Sequence, residues 1–101
     1  VVPIAPGTEE RWNHPPFSGA IADGDVWGRG ALDDKFGVVA ILEAAEILLQ
    51  RGFAPQRTVY FAFGHDEELG GDHGAKLVAE ELAKRGVQAE YVLDEGGAVL
   101  E

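Results

Sequence analysis

Apolar positions recur with two different periods along this chain of 101 residues. From Asp34 to Arg51 they fall three and four apart: Val38, Ile41, Leu42, Ala45, Leu48 and Leu49 share one stripe, with Glu43, Glu46 and Gln50 opposite. That spacing predicts an amphipathic helix. Gly52 is a natural stop for it, and Pro55 confirms the break. A second helix is predicted from about Gly74 to Arg85, with Ala75, Val78, Ala79 and Leu82 facing inward and Gly86 ending it. On its outer face Glu80–Lys84 and Glu81–Arg85 are spaced for i,i+4 ion pairs in the better orientation.

The other apolar stretches lack helical spacing. "RTVYFAF", residues 57–63, is β-branched and aromatic without strict alternation, which predicts a strand covered on both faces, as in a parallel sheet. Residues 91–93 of "AEYVLDEGG" predict another, and the opening "VVP" reads as the tail of a strand stopped by Pro3. Residues 4–18 are broken by Pro6, Gly7, Asn13 and the Pro15–Pro16 pair and read as loop. "GAIADGDVWGRG" reads as a hairpin turning at Asp23–Gly24. Strand, helix, strand, helix, strand gives an α/β chain with a parallel sheet and room for one small core. The chain carries no repeats or low-complexity segments.

Charge narrows the function. Eighteen acids against eight bases leave a formal net charge of −10, the opposite of the basic face that nucleic acid requires. With no cysteine, disulfides and thiolate metal ligands are excluded. No apolar run approaches the roughly 20 residues of a membrane span. The chain starts on "VVPIAPGTEE", without methionine or a charged leader, and reads as a piece of a longer protein.

The acids matter for where they fall. Asp66, Glu67 and Glu68 follow one predicted strand, Asp94 and Glu95 the next, and Asp33 and Asp34 stand where the first helix starts. In open α/β sheets the crevice beyond the carboxyl ends of the strands holds ligands. Three like charges in a row repel one another more strongly as the site dries out. Hard carboxylate oxygens gathered there suit a divalent cation, and two cations relieve the repulsion better than one.

Each cluster also has a plainer use. Asp33 or Asp34 serves equally as a helix cap, a role worth about 1 kcal/mol. "DEE" before Gly70–Gly71, or Asp94–Glu95 before Gly96–Gly97, is a solvated turn when taken alone. His14, His65 and His73 stand at no ligand-like spacing, and Trp12, Phe17 and Trp27 read as loop and hairpin packing. The conjunction carries the functional reading.

The wording "VVP", "W…PPFSGAIADGDVWGRGALDDK", "GHDEELGG" and "YVLDEGG" resembles the catalytic domain of the M20 family of metallopeptidases, most of all its carboxypeptidase S and PM20D1 branch, with aminoacylase-1 a further relative. The resemblance covers nearly the whole chain. It implies a three-layer α/β catalytic domain with a mostly parallel sheet and helices on both faces, of which residues 1–101 are one part. The family's His-x-Asp segment before "VVP", its small inserted domain and its C-terminal part are absent, so the chain alone is expected to be inactive.

The resemblance also implies roles. Asp33 would bridge two zinc ions, Glu68 would ligate one and Asp94 the other, although some relatives use the position of Glu95. Glu67 would be the general base, and Gly28, Gly30, Gly70 and Gly71 would allow tight turns beside the metals. The implied reaction is hydrolysis of the amide bond of a peptide C-terminus or an N-acyl amino acid by metal-activated water, with a homodimer formed through the absent domain. Zinc lowers the pKa of bound water and polarises the carbonyl, while a carboxylate in reach takes the proton to the leaving amine. Two other classes stay open: a magnesium-dependent phosphoryl-transfer enzyme, and a non-catalytic divalent-cation module. The first lacks a phosphate-cradling loop with a lysine, and the second lacks EF-hand spacing.

Overall fold

Two helices and one hairpin organise the computed structural model, which describes residues 1–96. Strand β1 (Ala20–Ala22) pairs antiparallel with β2 (Asp25–Trp27), with Ala20 opposite Trp27 and Ala22 opposite Asp25. The two connecting residues have φ of 56° (Asp23) and 87° (Gly24), the double positive φ of a type I′ turn, which suits the twist of a tight hairpin. This matches the turn expected from Asp23–Gly24.

Helix α1 (Phe36–Gln50) and helix α2 (Ala75–Lys84) fall where the 3.6-residue period puts them. Both end in the same way. The Phe53 N–H donates to the Leu48 carbonyl (3.0 Å) and the Val87 N–H to that of Leu82 (3.0 Å), across Gly52 and Gly86 with φ of 77° and 69°. This left-handed glycine closure satisfies carbonyls that the helix end would leave open. On α2 the Glu81–Arg85 pair forms at 2.8 Å, and Lys76 reaches back to Asp72 at 3.0 Å. The expected Glu80–Lys84 pair is not among the ion pairs of the described residues.

The hairpin is packed on by its loop. Trp27 donates its indole N–H to the Ala22 carbonyl at 3.0 Å and lies against His14, ring centroids 4.9 Å apart. The Arg29 guanidinium sits 5.2 Å from the Trp12 ring centre, within cation–π reach. Phe17, expected to pack here, is exposed instead.

The sheet differs from expectation. Among the described residues the hairpin is the only sheet, and residues 1–3, 57–63 and 91–93 form no strand. A two-faced apolar segment becomes a central strand only when neighbours supply a hydrogen-bond ladder on its edges and cover on its faces. The described residues supply neither: Tyr60 and Phe61 stay about half exposed and Leu93 fully so. An ion pair between Arg57 and Glu90 ties the starts of the two segments together.

The expected small core is absent for the same reason. No hydrophobic side chain among the described residues is buried. On α1 only Val38 and Ala45 of the predicted stripe are half-buried, while Ile41, Leu42, Leu48 and Leu49 remain exposed. Periodicity reports which face a helix offers for burial; a core also needs a second layer to receive it.

Candidate functional site

The turn into α1 separates two neighbouring aspartates. Gly30 enters it with a φ of 80°, the Lys35 N–H bonds the Gly30 carbonyl at 2.9 Å, and the backbone leaves helical values at Asp33 and Asp34. The peptide bond between those two residues is cis. Asp34 accepts the Gly37 N–H on Oδ1 at 2.8 Å, the i to i+3 bond of a helix cap. Asp33 makes no such bond to the helix. Of the two capping candidates the sequence offers, Asp34 takes the role and Asp33 is left exposed.

Gly37 is tied to that cap. A Cβ there would stand 2.6 Å from both carboxylate oxygens of Asp34. Replacing a helical glycine by alanine ordinarily gains about 0.5–1 kcal/mol. At this position we expect the sign to reverse: Gly37→Ala should lower the chemical denaturation midpoint, because the methyl group expels the capping carboxylate. A midpoint that rises would show that Asp34 does not need the space.

The acidic triplet divides its side chains by forming a single helical turn, Glu67–Leu69, closed by Leu69 N–H and Gly71 N–H to the Asp66 carbonyl, both 2.9 Å. Asp66 turns inward and is buried, with Oδ2 accepting the His73 N–H at 2.7 Å. Glu67 and Glu68 stay exposed and line a cleft of about 630 Å³. Gly30, Gly70 and Gly71 have positive φ, as a tight turn requires; Gly28 does not.

Three distant stretches meet at that cleft: Asp33 and Asp34, Glu67 and Glu68, and Asp94 and Glu95 all line it, with Lys35 and His65. Their charges act on one another. The Asp33 carboxylate beside Glu68, with Glu67 behind it, pushes the Glu68 pKa up. Glu95 bonds to Asp34 and is pushed up to about 7, while Asp34 is pulled down, first by Glu95 and then by the Gly37 N–H. The two carboxyls therefore titrate as a pair, Glu95 keeping its proton to higher pH than Asp34. Asp94 instead folds its carboxylate back on the Glu95 N–H, at 2.9 Å.

This donor set fits a cation in chemistry but is not drawn together around one. Carboxylates that hold protons against mutual repulsion exchange them readily for a metal. Among the described residues, however, no three His, Asp or Glu side chains come within joint metal-binding range. The structure brings Asp33 and Glu68 side by side and leaves Asp94 apart from them on the cleft wall. His65 is the one histidine among the described residues that line the cleft, although its spacing in sequence gives no sign of it.

Two features escape the sequence. Asp66 looks like a third member of an exposed triplet, yet it is the buried one; Gly74, eight residues on, is its trace in the sequence. The Asp34–Glu95 pairing has no local signal, since it joins residues 61 positions apart through the fold.

Comparison with known proteins agrees with the motifs. The family model described as peptidase family M20/M25/M40 matches residues 1–101. The chain is 53% identical over 92 residues to a probable carboxypeptidase S-like 2 of Dictyostelium discoideum, covering 90% of this chain and 18% of that protein. It is 47% identical over 100 residues to the N-fatty-acyl-amino acid synthase/hydrolase PM20D1 of Mus musculus, covering 99% and 20%. The Homo sapiens PM20D1 is 47% identical over 98 residues, covering 97% and 19%. The chain thus spans about a fifth of the length of the curated relatives it matches. No solved structure matches it.

Proposed function

We propose, from the premise that this chain belongs to peptidase family M20/M25/M40, that it is the carboxylate-bearing part of the catalytic domain of a zinc-dependent hydrolase. The reaction is cleavage of the amide bond of a peptide C-terminus or an N-acyl amino acid. The observation that supports it best is the meeting of Asp33, Glu67, Glu68 and Asp94, from three separate stretches, along one cleft. The names of its relatives, carboxypeptidase on one side and fatty-acyl-amino acid hydrolase on the other, bracket the substrate class.

In this reading Asp33, which makes no capping bond, would be shared by two zinc ions, and Glu68 and Asp94 would each hold one of them. Bound zinc would polarise the amide carbonyl and lower the pKa of a water molecule towards neutrality. Glu67, beside Glu68 and likewise lining the cleft, would take the proton of that water and return it to the departing nitrogen. Asp34 and Glu95 line the same cleft, Asp34 also fixing the start of α1. By the family resemblance, the nitrogen ligands would come from other segments, a His-x-Asp stretch and a C-terminal part, and a small inserted domain would pair two copies. Sheet neighbours from the same domain would cover the bare faces of residues 57–63 and 91–93.

The test is metal content and hydrolysis in the full-length protein. Two zinc ions per chain, with release of a free amino acid from an N-acyl amino acid or a peptide, is the expected result. Magnesium dependence with phosphoryl transfer would overturn the reading, and so would tight metal binding with no amide hydrolysis on either substrate.

A further inference from the structure

Asp66 is the one charged side chain buried among the described residues, at 8% exposure, and the proposed chemistry does not use it. Its two carboxylate oxygens have different surroundings. Oδ2 accepts the His73 N–H at 2.7 Å, whereas Oδ1 is buried with no hydrogen-bond partner. Burying a carboxylate is costly, and leaving one oxygen unpaired makes it costlier. A group held on such terms is compensated by what its position fixes.

What it fixes is the loop that carries Glu67 and Glu68. At its near end the Asp66 carbonyl closes the turn by accepting from Leu69 and Gly71. At its far end the side chain spans seven residues to the backbone of His73, just before α2. The loop between is thus clamped at both ends by one residue. The fit is close: a Cβ on Gly74 would collide with Oδ1, and would also stand 3.2 Å from the His65 nitrogen. Gly74 is itself buried, so a side chain there has no open direction in which to escape.

We infer that Asp66 is a positioning residue: its buried carboxylate, seated against Gly74 and bonded to the His73 amide, holds the turn that aims Glu67 and Glu68 into the cleft. Its effect on turnover rests on the hydrolase reading given above; its hold on the loop does not. A misplacement of about 1 Å in a reacting group can cost on the order of 10²-fold in rate.

The experiment uses the full-length protein and three variants, with hydrogen exchange at the His73 amide, zinc content and the division of effects between kcat and KM as readouts. Asp66→Ala removes the acceptor. It should expose the His73 amide to exchange and lower kcat by about 10²-fold with KM little changed. Asp66→Asn keeps an oxygen of the same size in reach of that amide, and should restore both protection and most of the turnover. Should Asp66→Ala fail to fold, Gly74→Ala displaces the carboxylate without removing it and should show the same paired loss. Unchanged His73 protection in Asp66→Ala, or in Gly74→Ala where the first does not fold, overturns the inference. So does a loss of turnover that Asp66→Asn does not relieve. A parent protein that binds no zinc and cleaves no amide would instead defeat the hydrolase reading, while the His73 amide still reports on the clamp.

Discussion

Glu67→Gln should leave the full-length protein folded and loaded with metal, but slow its turnover by about 10²–10⁴-fold or more, the usual contribution of a general base. The amide matches the carboxylate in size and keeps an acceptor, yet cannot take a proton from water. Glu67 lies close enough to Glu68 and Glu95 for its charge to raise both their pKa values, while Glu68 is the one held against Asp33. Its neighbour should fail in the opposite manner. Glu68→Gln removes the carboxylate that lies against Asp33, so it should empty part of the metal site and make the remaining activity depend on added zinc. Zinc stoichiometry and turnover measured on both variants decide the matter. If Glu67→Gln lost the metal while Glu68→Gln kept it, the two roles would be exchanged; if neither slowed turnover, the hydrolase reading would fall.

The elements legible in the sequence are those whose causes are local. Both helices, their glycine stops and the Asp23–Gly24 turn depend on residues within a few positions of one another, and each formed where its pattern lies. The strands were not legible in the same sense. "RTVYFAF" carries the composition of a buried strand, but a strand is a relation between segments, and among the described residues its partners do not come to it. The site divides in the same way. That the three acidic stretches converge followed from their places at element ends, and residues of all three line the cleft; the choice of Asp33, Glu67, Glu68 and Asp94 among them came from the family resemblance. Which acid of a consecutive pair would turn inward could not be read, because it depends on the backbone path of a few residues. Asp34 rather than Asp33 caps α1, and Asp66 rather than its neighbours is buried, each settled by a glycine that leaves room for the carboxylate.

That division gives the aspartate pair opposite expected failures. Asp33→Ala removes a carboxylate that makes no capping bond and lies against Glu68. If it bridges two metals, both lose a ligand at once and the repulsion among the remaining acids goes unrelieved. Losing only the outer partner of a metal ligand typically costs about 10–100-fold in affinity or activity, so loss of a shared ligand should cost more, with zinc content and turnover falling together. Helix content should hardly change, because the cap on Gly37 is intact. Asp34→Ala should do the reverse: the denaturation midpoint falls as α1 loses its cap, while zinc stays bound. Measuring zinc per chain and the unfolding midpoint on both variants separates the roles without reference to catalysis. Full zinc occupancy in a folded Asp33→Ala protein would sink the bridging role, and metal loss from Asp34→Ala with an unchanged midpoint would move that role one residue along the chain.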